Sequence, residues 1–146
     1  MGASELWLVR HGESVGNVAA SQAGAAGADL IQVGLRDADV ALTPTGQAQA
    51  AALGTWLAGL PTQVAPLAVC HDAVILIFRY VCEGMREADV LACASSGSIR
   101  NASVTRLHRP DGQQRWVADT VNADEHLQAV GVPVTEHQGD RDAFPH

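Results

Sequence analysis

The chain has 146 residues, of which 47% are hydrophobic and 17% charged, and it carries a net charge of −7. That length suits one domain with a core of its own, and the balance of apolar and charged residues excludes a disordered chain. The acidic surplus argues against binding a nucleic-acid backbone, which takes clustered Lys and Arg, and it concentrates the few cations where an anion has to be held.

The three cysteines, Cys70, Cys82 and Cys93, are an odd number without Cys-x-x-Cys spacing. They read as reduced, partly buried thiols of a cytoplasmic protein rather than a disulfide frame or a zinc site. Met1-Gly2-Ala3-Ser4-Glu5 shows no signal-peptide pattern, and Leu6 spoils a myristoylation pattern. No apolar run is long enough to span a bilayer, so no membrane partner is expected.

In chain order, residues 5–10 form a continuous apolar run and predict a buried parallel strand. A helix capped by Ser14 follows over residues 14–20. Residues 21–41, rich in Gly, Ala and Asp, show no period and are expected as a loop. Thr43 as N-cap and Pro44 at the first helical position open a strong helix that runs to about Leu57, with Gly59 near its end. Leu67-Ala68-Val69-Cys70 is a second strand closed by His71-Asp72, and residues 73–84 an apolar helix ended by Gly84. Residues 101–108 predict a strand, with Asp111-Gly112 as a turn signal and Trp116-Val117-Ala118 on the far side of a hairpin. The tail from about residue 122 is polar and expected to be irregular. This βαβ alternation predicts one α/β domain over 1–146, three-layer α/β/α, with a mostly parallel sheet.

The chemistry gathers at strand ends. Arg10-His11-Gly12-Glu13-Ser14 closes the first strand. An imidazole can attack phosphorus, a guanidinium can clamp phosphoryl oxygens in a fork, and glycine lets the backbone approach closely. His71 ends the second strand, and ligand sites of open α/β sheets lie beyond the carboxyl ends of strands, so His11 and His71 should share one rim. Asn17, on the first turns of the following helix, is a candidate phosphate ligand or an ordinary helix residue; Glu13 either orients Arg10 or a histidine or caps. Asp72 has two readings, a general acid and the N-cap of a helix starting at Ala73, with the cap ranked first. His108, His126, His137 and His146 lack ligand spacing and read as surface residues, while Met85, Trp7, Trp56, Phe78 and Tyr80 read as core or helix faces. No metal site or cofactor is expected.

The stretch Leu8-Val9-Arg10-His11-Gly12-Glu13-Ser14, with Asn17, resembles the signature of the histidine phosphatase superfamily, the phosphoglycerate-mutase-like proteins. Leu42-Thr43-x-x-Gly46-x-x-Gln49-Ala50, Val69-Cys70-His71-Asp72 and Asn101-Ala102-Ser103-Val104-Thr105 resemble later patches of the same pattern. The resemblance implies a phosphoglycerate-mutase-like fold. His11 is then the nucleophile, Arg10 the phosphate clamp, His71 a donor to the phosphoryl group, and Gly12 and Asn17 part of the binding site. It also raises the acid role of Asp72, since one branch of the superfamily carries His-Asp at that place. The chain departs from the pattern between Leu60 and Leu67, where a strand, a Ser-Ser-Pro-x-x-Arg-Ala segment with a second arginine and a later glutamate are missing. The expected activity is hydrolysis of a small phosphomonoester through a phosphohistidine; the alternatives are mutase-type transfer and an impaired phosphate-binding protein. Oligomeric state is not readable.

Overall fold

The computed structural model describes residues 4–27, 39–60 and 66–137. The short crossover at 61–65, most of the loop expected before position 41, and His146 lie outside the described residues.

The elements run β1 (Glu5–Arg10), α1 (Val15–Ala25), α2 (Pro44–Ala58), β2 (Leu67–Cys70), α3 (Asp72–Glu83), α4 (Glu87–Ser96), β3 (Val104–His108), β4 (Val117–Ala123) and α5 (Glu125–Gln128). Local chemistry sets their starts. Ser14 accepts from the Asn17 amide while the Asn17 side chain accepts from the Ser14 amide, a reciprocal capping box. Thr43 accepts from Gly46 N, with Pro44 at the first helical position. α3 stops at Gly84, which adopts the left-handed conformation that a Cβ disfavours.

The sheet has the order β2-β1-β3-β4. β1 pairs parallel with β2 but antiparallel with β3, and β3 pairs antiparallel with β4. The expectation of a mostly parallel sheet is therefore corrected. An apolar run reports that both faces of a strand are covered, not which way its neighbours point. Here α4 returns the chain to the carboxyl end of β1, so β3 runs back along it, and the Asp111-Gly112 turn sends β4 back again.

Side-chain alternation along β1 divides the core. Trp7 and Val9 meet Leu53 and Val104 on the α2 side, joined by Trp56, Leu57 and Leu60. Leu8 meets Ile75, Ile99 and Leu107 on the α3 side. Helices thus cover both faces of β1.

Two more expectations change. α1 continues to Ala25, into the stretch read as loop, and α4 carries no period that would have announced it. The tail is not irregular from residue 122: β4 extends to Ala123 and α5 follows, with Leu127 fully buried. No helix among the described residues is long and apolar enough to cross a membrane.

Candidate active site

The parallel register Arg10↔Cys70 places the next residue of each strand, His11 and His71, at the same level of the sheet. Their rings lie edge to face with centroids 4.9 Å apart at 72°. His11 Nδ1 is 2.7 Å from Gly12 O. A carbonyl only accepts, so Nδ1 carries the proton and the Nε2 lone pair is left for chemistry. Burial lowers the His11 pKa; the bond to Gly12 O opposes this, and the nearby His71 and Arg10 push the same way as burial. The ring is thus kept neutral to lower pH than an ordinary histidine.

The turn after β1 is packed backbone against backbone. A Cβ on Gly12 would overlap Gly46 O in the first turn of α2, and one on Gly46 would overlap Glu13 O. The close approach demanded of Gly12 is to α2. Glu13 holds neither Arg10 nor the paired histidines. Its carboxylate accepts from Thr43 Oγ1 at 2.7 Å and meets His137 Nε2 at 2.8 Å, and its amide donates to Gln49 Oε1. Burial pushes the Glu13 carboxyl up, but the bonds from His137 and Thr43 outweigh it and bring it below the usual range.

Arg10 lies on the α3 side of β1, with 4% of its side chain exposed. Its Nη1 donates to Ile99 O and its Nη2 to His137 O, and Nη1 stands 4.0 Å from Asp72 Oδ2. The guanidinium is held from behind by two main-chain carbonyls.

Asp72 is not the N-cap. The helix begins at Asp72 and the cap is His71, whose side chain makes no capping bond. Burial raises the Asp72 pKa, against the pull of Arg10 and the Ile99 amide and with a push from Glu136. Oδ1 is buried and has no hydrogen-bond partner among the described residues. A carboxyl in this setting holds its proton above the usual range.

Asn17 Oδ1 accepts from Ser14 N and from Asn101 Nδ2 at 3.2 Å, so what the amide can offer a ligand is its Nδ2 protons.

Three residues to which the sequence assigned no role in the site support the strand end. Asn101 is fully buried; its Nδ2 also donates to His11 O, and its Oδ1 accepts from Thr135 Oγ1. Ala102, at φ 55°, donates its amide to Arg10 O and His11 O. His126 is buried rather than on the surface: it stacks on Trp56 at 5.2 Å and bonds Ala102 O at 2.9 Å. Burial keeps its pKa low, against the opposing pull of the Ala102 carbonyl, Asp124 and Glu125. His137 also leaves the surface reading, bridging Glu13 and Ser21. The Asn-x-Ser pattern was the only signal for any of these, because their partners lie 24 to 124 positions away.

What has been assembled is a mixed α/β domain that ends two adjacent parallel strands in facing histidines. The family model of the histidine phosphatase superfamily (branch 1) matches residues 6–68. That segment, which includes the Arg10-His11-Gly12 turn and α2, is similar to the histidine phosphatase superfamily, in agreement with the resemblance of its motif. The match supports phosphoryl transfer of phosphatase or mutase type as the general class of activity. No curated protein matches the chain.

Proposed function

We propose that the protein is a phosphatase that hydrolyses a small phosphomonoester through a phosphohistidine at His11. The observation that carries this is the facing pair of His11 and His71, with the His11 proton held on Nδ1 by Gly12 O. In the first step His11 Nε2 attacks phosphorus and the P–O bond to the leaving group breaks. Asp72 gives its proton to the departing alkoxide. His71 donates to a phosphoryl oxygen, and Arg10, buried close by, supplies positive potential as charge spreads over those oxygens. Water then attacks the phosphohistidine, its proton returns to Asp72, and phosphate leaves with His11 restored.

A second reading, a phosphate-binding protein with slow turnover, draws on Arg10. Both of its Nη groups rest on main-chain carbonyls, so a direct fork onto phosphate requires those contacts to change. The test is incubation with a small phosphodonor, an alkaline quench within one turnover, and mass spectrometry under non-acidic conditions. The enzyme gains one acid-labile phosphoryl group on His11, and His11→Ala gains none. Phosphate release by His11→Ala at the parent rate sinks the mechanism, while binding without labelling favours the second reading.

A further inference from the structure

The two carbonyls behind Arg10, Ile99 O at Nη1 and His137 O at Nη2, come from segments that lie far along the chain from it. Both are fixed by the same short stretch, residues 133–137. His137 is the closer link. Its Nε2 stands 2.8 Å from Glu13 Oε2 and its Nδ1 2.7 Å from Ser21 Oγ, so one imidazole spans the turn after β1 and the side of α1. The pair with Glu13 is largely buried, with 14% of the His137 side chain and 11% of the Glu13 side chain exposed. A carboxylate only accepts, so His137 Nε2 carries a proton toward Glu13. With its ring held on both sides, His137 keeps its own carbonyl 3.1 Å from Arg10 Nη2.

The other carbonyl is held through its neighbour. Glu136 Oε1 accepts from Ser98 N at 3.0 Å, one residue before Ile99. Gly97 leaves room for this, since a Cβ there would stand 3.3 Å from Glu136 Oε1. The two segments are tied again by Asn101 N, which donates to Thr135 O at 3.0 Å. Gln49 Nε2 secures the stretch to α2, donating to Pro133 O and to Thr135 Oγ1, each at 2.9 Å. A long, rotamer-rich side chain such as Arg loses freedom when it is used, and a scaffold that orders it beforehand removes that cost from binding.

We propose that His137 and Glu136 are positioning residues for Arg10. They fix the two carbonyls on which its guanidinium rests, and so keep that charge in place beside His11 for a phosphoryl group. This rests on the phosphoryl-transfer reading only for the ligand that Arg10 meets. Neither residue touches the reacting atoms; both act through Arg10, and their effect therefore depends on its presence.

The test is a double-variant cycle on the whole chain, read by calorimetric titration of orthophosphate, which needs no turnover. Arg10→Ala weakens orthophosphate binding. His137→Ala weakens it by about tenfold, as expected when a charged group loses the support of a hydrogen-bond partner. In the Arg10→Ala background the same substitution changes binding by no more than about twofold. His137→Gln, which keeps a donor for Glu13, recovers most of the loss. Glu136→Ala, at an exposed position, weakens binding with the same dependence on Arg10, and it carries the cycle if His137→Ala does not fold. A merely structural role would weaken binding equally with and without Arg10, and that result overturns the proposal. A parent that takes up no orthophosphate, or variants that bind it as the parent does, also overturn it. Labelling of His11 by a phosphodonor is read separately. Coupled binding without a label fails the phosphatase reading and keeps the positioning role; a label with additive variants does the reverse.

Discussion

Asp72→Asn separates the two roles that Asp72 can hold. The side chain sits in the first turn of α3, so losing its charge removes about 0.3–1 kcal/mol of helix-dipole complement. It also loosens the 4.0 Å approach to Arg10, where Asp72 is 20% exposed. Against this, the amide no longer buries a carboxylate oxygen that lacks a partner. The fold should therefore change little. The chemistry should change much more. If Asp72 protonates an alkoxide leaving group, its loss slows alkyl phosphates by about 10²–10⁴, a barrier rise of about 3–5 kcal/mol. Aryl phosphates, whose leaving groups need little protonation, should be nearly untouched. The pH profile adds a second readout. Burial holds the Asp72 proton above the usual carboxylate range, and His11 is kept neutral below the usual imidazole value. Activity on alkyl phosphates should then be bell-shaped with an optimum on the acid side of neutrality, and Asp72→Asn should erase the basic limb. The assay is kcat/KM for one alkyl and one aryl phosphate across pH, parent beside variant. Equal alkyl rates, or a basic limb that survives the substitution, would falsify the acid role.

Arg10→Ala removes a buried positive charge beside His11 and should lower kcat/KM by about 10²–10³, with restoration by Lys incomplete; a variant as fast as the parent refutes the electrostatic role. Gly12→Ala drives a methyl group into Gly46 O and should destabilise the fold by about 2–4 kcal/mol, seen as a thermal midpoint lower by roughly 5–15 °C; an unchanged midpoint refutes the packing argument. His126 has a depressed pKa when folded, so it contributes stability above its unfolded pKa that is lost as pH falls through the folded one. His126→Gln, which keeps a donor for Ala102 O, should flatten the loss of thermal stability from about pH 7 down to about pH 5. Parallel midpoint curves for parent and variant would remove His126 from that acid sensitivity.

Local signals were the ones that could be read directly. Ser14 and Thr43 are caps because their hydroxyls reach amides three residues on, and Gly84 ends α3 because only its own backbone conformation is at issue. The run 6–9 announced a strand buried on both faces, and Arg10-His11-Gly12 with His71 announced two strand ends bearing imidazoles. What those signals lacked was direction and long-range partnership. A buried strand looks the same whether its neighbour is parallel or antiparallel, so, while the Asp111-Gly112 turn announced the antiparallel β3–β4 hairpin, the antiparallel pairing of β3 with β1 came only with the path of α4. Asp72 missed the cap position by one residue, because a helix start is fixed to about a turn by composition and to a residue only by backbone geometry. His126, Asn101 and the Glu13–His137 pair work through partners far along the chain, and burial of a histidine or an asparagine leaves no local period to read. The sequence by itself determined the caps at Ser14, Thr43 and Gly84, the two histidine-bearing strand ends, the hairpin at Asp111-Gly112 and the likeness of residues 6–68 to the histidine phosphatase superfamily; tertiary structure decided that β3 runs antiparallel to β1, which polar groups hold the His11 backbone, and that Arg10 rests on the carbonyls of Ile99 and His137, because each of these depends on which distant segments folding brings together.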